Sequence, residues 1–285
     1  MRHWQTTRFR IDLTAPQVMG IVNVTPDSFS DGGSHEGVSA AMIHAEKLLA
    51  DGAHILDIGG ESTRPGSPAV PLDEELRRVL PVVKAAEALQ VPISVDTYKP
   101  EVMQAVLDLG ADIINDIWAL RQPGAQAVVA AHPQCGVCLM HMHADPQTMH
   151  QEHMAAQSDV AAEVLDFLQA HTRSLEALGV QAERIVWDAG TGFGKSPGQN
   201  FALLQQQPRL AAAGYPMLAG WSRKGSLGKV TGRVVAERMP ASIAAALLSV
   251  EHGAAIVRVH DVRETCDALA VLQAMRAPQS LDTQG

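Results

Sequence analysis

Eight short apolar, largely β-branched runs recur along the chain, at 18–24, 54–59, 92–96, 112–115, 136–140, 184–187, 216–219 and 255–259. Between them lie longer segments whose apolar residues return every three or four positions, such as 39–50, 72–89, 101–109, 157–178 and 200–213. The spacing is clearest in Leu76, Val79, Leu80, Val83 and Ala86, which share one face of a helix. Strands alternating with helices predict parallel pairing, because each return to the same end of a sheet needs a helix-sized connection. Eight such units in about 250 residues predict an α/β fold of the (β/α)8 TIM-barrel type. An open doubly wound sheet shares the alternation but usually has fewer strands. Gly52, Gly110, Gly179, Gly214 and Gly253 each stand shortly before a strand, where a helix must stop in a left-handed conformation.

No linker rich in Pro, Gly or Ser divides the chain, so a single barrel domain is expected over 18–276. Residues 1–17 read as an N-terminal extension forming a small hairpin at the barrel's bottom, and 277–285 as a flexible tail. The 285 residues carry 22 basic and 31 acidic side chains, a net charge of −9. That balance argues against nucleic acid or an anionic membrane as partner, since both need broad positive fields. The longest apolar stretch, 243–250, is too short for a bilayer, which requires about 20 residues. It reads as core or as a dimer contact. Arg2, Arg8 and Arg10 are not followed by an apolar run, so no secretory signal is expected. Three cysteines cannot staple a chain of this length and suit a reducing cytoplasm.

In a barrel, chemistry collects where the strands' carboxyl ends meet. The runs end on Asn23, on Asp57 leading into Gly59, on Asp96, Asn115, His141 and Asp188, and in the neighbourhoods of Lys224 and Arg258. For any one of these, a polar residue leaving the core is explanation enough, and Asp116 or Asp261 could cap a helix. Capping does not account for Asn23, Asp96, Asn115 and Asp188 together. Planar hydrogen-bonding groups around one mouth suit a flat heterocycle with N–H and C=O edges. Arg64, Arg223, Lys224, Arg258 and His260 form a cationic focus in an acidic chain, which points to an anionic ligand such as phosphate. Each arginine could instead pair with Asp57, Glu61 or Asp116. The stretch 190–196 (GTGFGKS) lacks the spacing of a nucleotide-binding loop and reads as a tight turn presenting Asp188.

Cys135 and Cys138 would point to opposite faces of a strand and so cannot share a metal. His141 and His143, with Asp145, His150 and His153 nearby, raise the alternative of a metal-dependent barrel hydrolase. The other strand ends offer Asp, Asn and Arg rather than further histidines, which weighs against it. Met140 and Met142 read as core or pocket wall.

At these residues the chain resembles the dihydropteroate synthases of the pterin-binding family. The resemblance spans nearly the whole sequence in order: MGIVNVTPDSFSDGG at 19–33, DIGGESTRPG at 57–66, SVDT at 94–97, IIND at 113–116, MHM at 140–142, GFGK at 192–195, SRK at 222–224 and RVHDV at 258–262. The first two stretches are long and specific. The resemblance implies a folate-pathway transferase and sulfonamide target, which joins a dihydropterin bearing a methyl diphosphate arm to 4-aminobenzoate. It further implies that Asp96, Asn115, Asp188 and Lys224 bind the pterin. Asn23, Thr63, Arg64, Arg258 and His260 would meet the diphosphate, with Asn23 also a ligand to Mg²⁺. Phe29, Thr63, Pro65, Ser222 and Lys224 would form the 4-aminobenzoate pocket. Asn23, Lys224 and Arg258 would carry the catalysis, in a homodimer.

Three stretches depart from the family's pattern. Ala189 stands where proline usually follows the aspartate, Trp118 where a small or polar residue is usual, and Gly225 where bulk is common. Two further readings are open. A pterin barrel that transfers methyl groups to a cobalamin protein would have no need of Arg64, Arg258 and His260, and a non-catalytic pterin binder would not need its two long loop motifs intact.

Overall fold

The computed structural model describes residues 2–24, 35–62, 69–146, 148 and 153–278. A two-stranded antiparallel hairpin, β1 (His3–Gln5) and β2 (Arg10–Asp12), precedes eight parallel strands. These are β3 (Gln17–Asn23), β4 (Ile55–Gly59), β5 (Ile93–Asp96), β6 (Ile113–Asp116), β7 (Gly136–Met140), β8 (Ile185–Asp188), β9 (Met217–Ala219) and β10 (Ala254–Val259). They pair in chain order, and β10 returns to β3 to close the barrel. Helices α1 (His35–Ala50), α2 (Leu72–Ala86), α3 (Pro100–Asp108), α4 (Ala125–Ala131), α5 (Val160–Ala177), α6 (Pro197–Ala211), α7 (Gly225–Thr231), α8 (Met239–Glu251) and α9 (Val262–Arg276) wrap the outside. The five glycines expected to end helices do so, with φ between +90° and +104°. Among the described residues no helix is long and apolar enough to cross a membrane.

Successive strand residues face opposite sides, and this alternation builds two cores. Outward residues such as Val18, Leu56, Val95, Ile114, Val137, Trp187 and Val257 pack under the helices. Inward residues Met19, Ile55, Ile113, Cys138, Val186, Leu218 and Ile256 fill the barrel's lower interior, where Trp4 and Ile11 of the hairpin plug it from below. Trp4 is wholly buried, and its indole Nε1 donates to the Arg184 carbonyl at 2.9 Å. Cys135 belongs to the outer core and Cys138 to the inner one, on opposite sides of the sheet. Two residues beyond the apolar plug, on the same inward face, stand Asp57 on β4, Asn115 on β6, Asp188 on β8 and Arg258 on β10. A strand rises about 6–7 Å over two residues, so a polar layer lies one pleat above the apolar one.

Candidate active site

Asp57 is fully buried at the centre of this layer and accepts from Ser94 Oγ at 2.6 Å, Arg258 Nε at 2.6 Å and Asn115 Nδ2 at 3.3 Å. Arg258 also donates from Nη2 to Asp96 Oδ2 at 2.8 Å. Asp96 and Asn115 are register partners on neighbouring strands, which holds the two side chains side by side. Burial raises the Asp96 carboxyl above its ordinary range, opposed by Arg258 and reinforced by Asp57. Burial works against the Arg258 charge, yet Asp57 and Asp96 outweigh it, and its pKa rises. On β4, Gly59 lies directly beside Asp96: a Cβ there would be 3.5 Å from the Asp96 Cβ, an ordinary contact.

Across the mouth, Asp188 Oδ1 accepts from the Gly190 amide at 2.7 Å. That bond holds the turn without a proline at 189. Gly190, Gly192 and Gly194 all have positive φ, and a Cβ at Gly190 would fall 1.8 Å from the His141 carbonyl oxygen. Lys195 is buried beneath the turn and donates to the carbonyls of His141 (3.1 Å), Gly190 (2.8 Å) and Phe193 (3.1 Å). Burial lowers its pKa to about 7. Lys224 points at the same mouth with Nζ 4.1 Å from the centre of the Phe193 ring. Burial, offset by Asp188 and reinforced by Arg258, lowers its pKa to about 8. Asp96 acts on it as well, so charges from β5, β8 and β10 all lie near Lys224. Phe193 packs with Ile117, Met140 and Met142, and with the half-buried Tyr98 and Trp118, giving the mouth an apolar wall.

At the rim, Ser222 Oγ lies 2.9 Å from His260 Nδ1 and accepts from the His260 amide at 3.1 Å, tying together the loops after β9 and β10. Arg223 turns away to Asp261 and takes no part in the cationic focus. Asn23 is exposed at the end of β3. Trp118 donates to the Ala144 carbonyl at 3.2 Å and stands edge-on to Tyr98, so its bulk does lie on the rim. Asp116 caps no helix; it accepts from the Trp118 and Leu120 amides, and burial pushes it up to about 7. A Cβ at Gly225 would meet nothing within 4 Å, so the missing bulk leaves open space.

The structure thus gathers Asp96, Asn115, Asp188, Lys224 and Arg258 around one opening and sets Ser222 and His260 beside it. Phe29, Thr63, Arg64 and Pro65 lie outside the described residues. Burial and then Lys195 drive His141 down to a pKa of about 2, and among the described residues its Nδ1 has no partner. No group of three His, Cys, Asp or Glu residues among those described could hold a metal, and His150, one of the histidines of the hydrolase alternative, lies outside them. Sequence reasoning considered Asp57 only as a partner for arginines and passed over Ser94, Phe193 and Lys195 as parts of the site. The available signal was the period of two: Asp57 follows the inward Ile55 by one pleat.

Residues 19–260 match the family model described as pterin binding enzyme. Dihydropteroate synthase of Neisseria meningitidis serogroup B is 48% identical over 281 residues, covering 96% of this chain and 98% of that protein. The structure of Burkholderia cenocepacia dihydropteroate synthase complexed with 7,8-dihydropteroate superposes with a TM-score of 0.89 at 50% identity, covering 98% of both chains. That of the Xanthomonas albilineans enzyme with 4-aminobenzoic acid gives 0.86 at 51%, covering 94% of this chain and 96% of the other. A closed parallel barrel with a polar layer at its mouth, shared over nearly its whole length with these enzymes, places the chain in the pterin-binding enzyme family, among the dihydropteroate synthase transferases.

Proposed function

We propose that this chain condenses (7,8-dihydropterin-6-yl)methyl diphosphate with 4-aminobenzoate, releasing 7,8-dihydropteroate and diphosphate. The observation that carries the reading is the convergence of Asp96, Asn115, Asp188, Lys224 and Arg258 on one opening. Support comes from the relatives of B. cenocepacia and X. albilineans, which hold the product and 4-aminobenzoic acid respectively.

Asp96, Asn115 and Asp188 hydrogen-bond the buried pterin, and Lys224 meets its carbonyl side. Diphosphate departs with the electron pair of the C–O bond, leaving a methylene cation that the pterin ring stabilises. The neutral aromatic amine attacks this carbon and then loses a proton to solvent. No strong base is required, so the protein's task is orientation, charge neutralisation and exclusion of water. Arg258 and His260, together with Thr63 and Arg64 assigned from the sequence resemblance, neutralise the departing diphosphate. Ser222 and Lys224 hold 4-aminobenzoate along with Phe29, Thr63 and Pro65, which rest on the same resemblance.

Asn23 supplies a hard carboxamide oxygen at an exposed strand end, which fits Mg²⁺ held mainly by phosphate oxygens and water. When bound, that ion would add positive charge to the leaving group. We further place the chain in the reducing cytoplasm, which its free Cys135, Cys138 and Cys266 suit. It pairs as a homodimer, a reading supported by exposed Val230 on α7, Leu248 on α8, and Val271 and Met275 on α9. The deciding assay mixes protein, pterin diphosphate, 4-aminobenzoate and Mg²⁺ and follows diphosphate release. Release should match dihydropteroate formation, stop on chelation of the metal, and be inhibited by a sulfonamide in competition with 4-aminobenzoate. A chain that releases no diphosphate does not have this activity.

A further inference from the structure

Asp57 touches three donors: Ser94 Oγ and Arg258 Nε at 2.6 Å, and Asn115 Nδ2 at 3.3 Å from each of its oxygens. A carboxylate accepts and cannot donate, so a carboxamide facing it must present its nitrogen. The orientation of the Asn115 amide is therefore dictated from below, and its Oδ1 is the end left for a ligand. With a neutral partner in place of Asp57, either end of the amide could face down.

We propose that Asp57 is a positioning residue that sets the hydrogen-bonding polarity of the pocket by holding the Asn115 nitrogen and the Arg258 Nε. The inference rests on the pterin reading above and deepens it. With Asn115 so fixed, Asp96, Asn115 Oδ1 and Asp188 line the mouth with acceptors. Such a lining selects a heterocycle edge that presents N–H groups, as a 2-amino-pyrimidinone ring does, and rejects one that presents a carbonyl in their place. Asp57 does this without touching the substrate, because Asn115 and Arg258 stand between.

The test compares 6-hydroxymethylpterin with its 2-oxo counterpart, 6-hydroxymethyllumazine, by calorimetry on the full-length wild type and on Asp57→Asn. The wild type should prefer the pterin, and in the variant that preference should fall by about tenfold or more. Equal losses for both ligands would mark a merely structural role and overturn the proposal, as would an unchanged ratio. Pterin binding by the wild type with an unchanged ratio overturns the role of Asp57 alone, whereas a wild type that binds no pterin overturns the functional reading and this inference with it. If Asp57→Asn does not fold, neutron diffraction from wild-type crystals with bound pterin decides. The Asn115 Nδ2 deuterons should be directed at Asp57 and Oδ1 at the ligand; the reverse orientation overturns the proposal.

Discussion

Lys224 shows how one residue's surroundings set its working range. Burial removes water from its ammonium and Arg258 repels it, while Asp188 and Asp96 draw the proton back, and the balance falls near 8 instead of 10.5. A lysine with a lowered pKa is charged below that value and neutral above it. Affinity for the diphosphate-bearing pterin should therefore fall as pH rises from 7 to 9, roughly a unit either side of that pKa. Lys224→Arg, which keeps its charge throughout, should flatten the profile. Binding titrations across that range check this, and an equally steep fall in the arginine variant would assign the titration elsewhere. Arg258 behaves in the opposite way, because two buried carboxylates hold its proton against the same loss of water.

The turn between β8 and α6 is the element on which Asp188 depends. Its backbone passes so close to the His141 carbonyl that no side chain fits at Gly190, and Lys195 satisfies three carbonyls from within the turn. Gly190→Ala should lower stability by about 3 kcal/mol and weaken pterin binding, through the positive φ and the clash together. Urea unfolding measures the first effect; an unchanged midpoint would mean that the turn is free to move. The barrel was legible from its alternating runs, and the Asp–Asn–Arg layer from the polar residues that end them. The short α4 and α7 were not, because seven residues make fewer than two turns and carry little periodicity. Lys195 was also hidden: its place in a glycine-rich stretch resembles that of a phosphate ligand, and only the folded turn points it at carbonyls. Arg223 likewise finds Asp261 through packing of the loops after β9 and β10, which no spacing reveals.

On the scale of the whole molecule, a chain of net charge −9 sets Lys224 and Arg258 at one end of its barrel against Asp57, Asp96 and Asp188, so the cations of the mouth are balanced by buried carboxylates. On the flank, α8 packs against both α7 and α9, and each of the three helices carries an exposed apolar residue: Val230, Leu248 and Val271. Leu248→Glu combined with Val271→Glu should convert the proposed dimer to a monomer in sedimentation equilibrium, and a wild type that sediments as a monomer refutes the pairing. At the opposite end, Trp4 and Ile11 close the floor against residues running from Met19 to Ile256. The hairpin is made before every strand of the barrel, yet the cavity that receives Trp4 is complete only after Ile256 has been made. Sealing the floor is thus among the most non-local events of folding, because the hairpin finds its place only once the last strand of the barrel has been made.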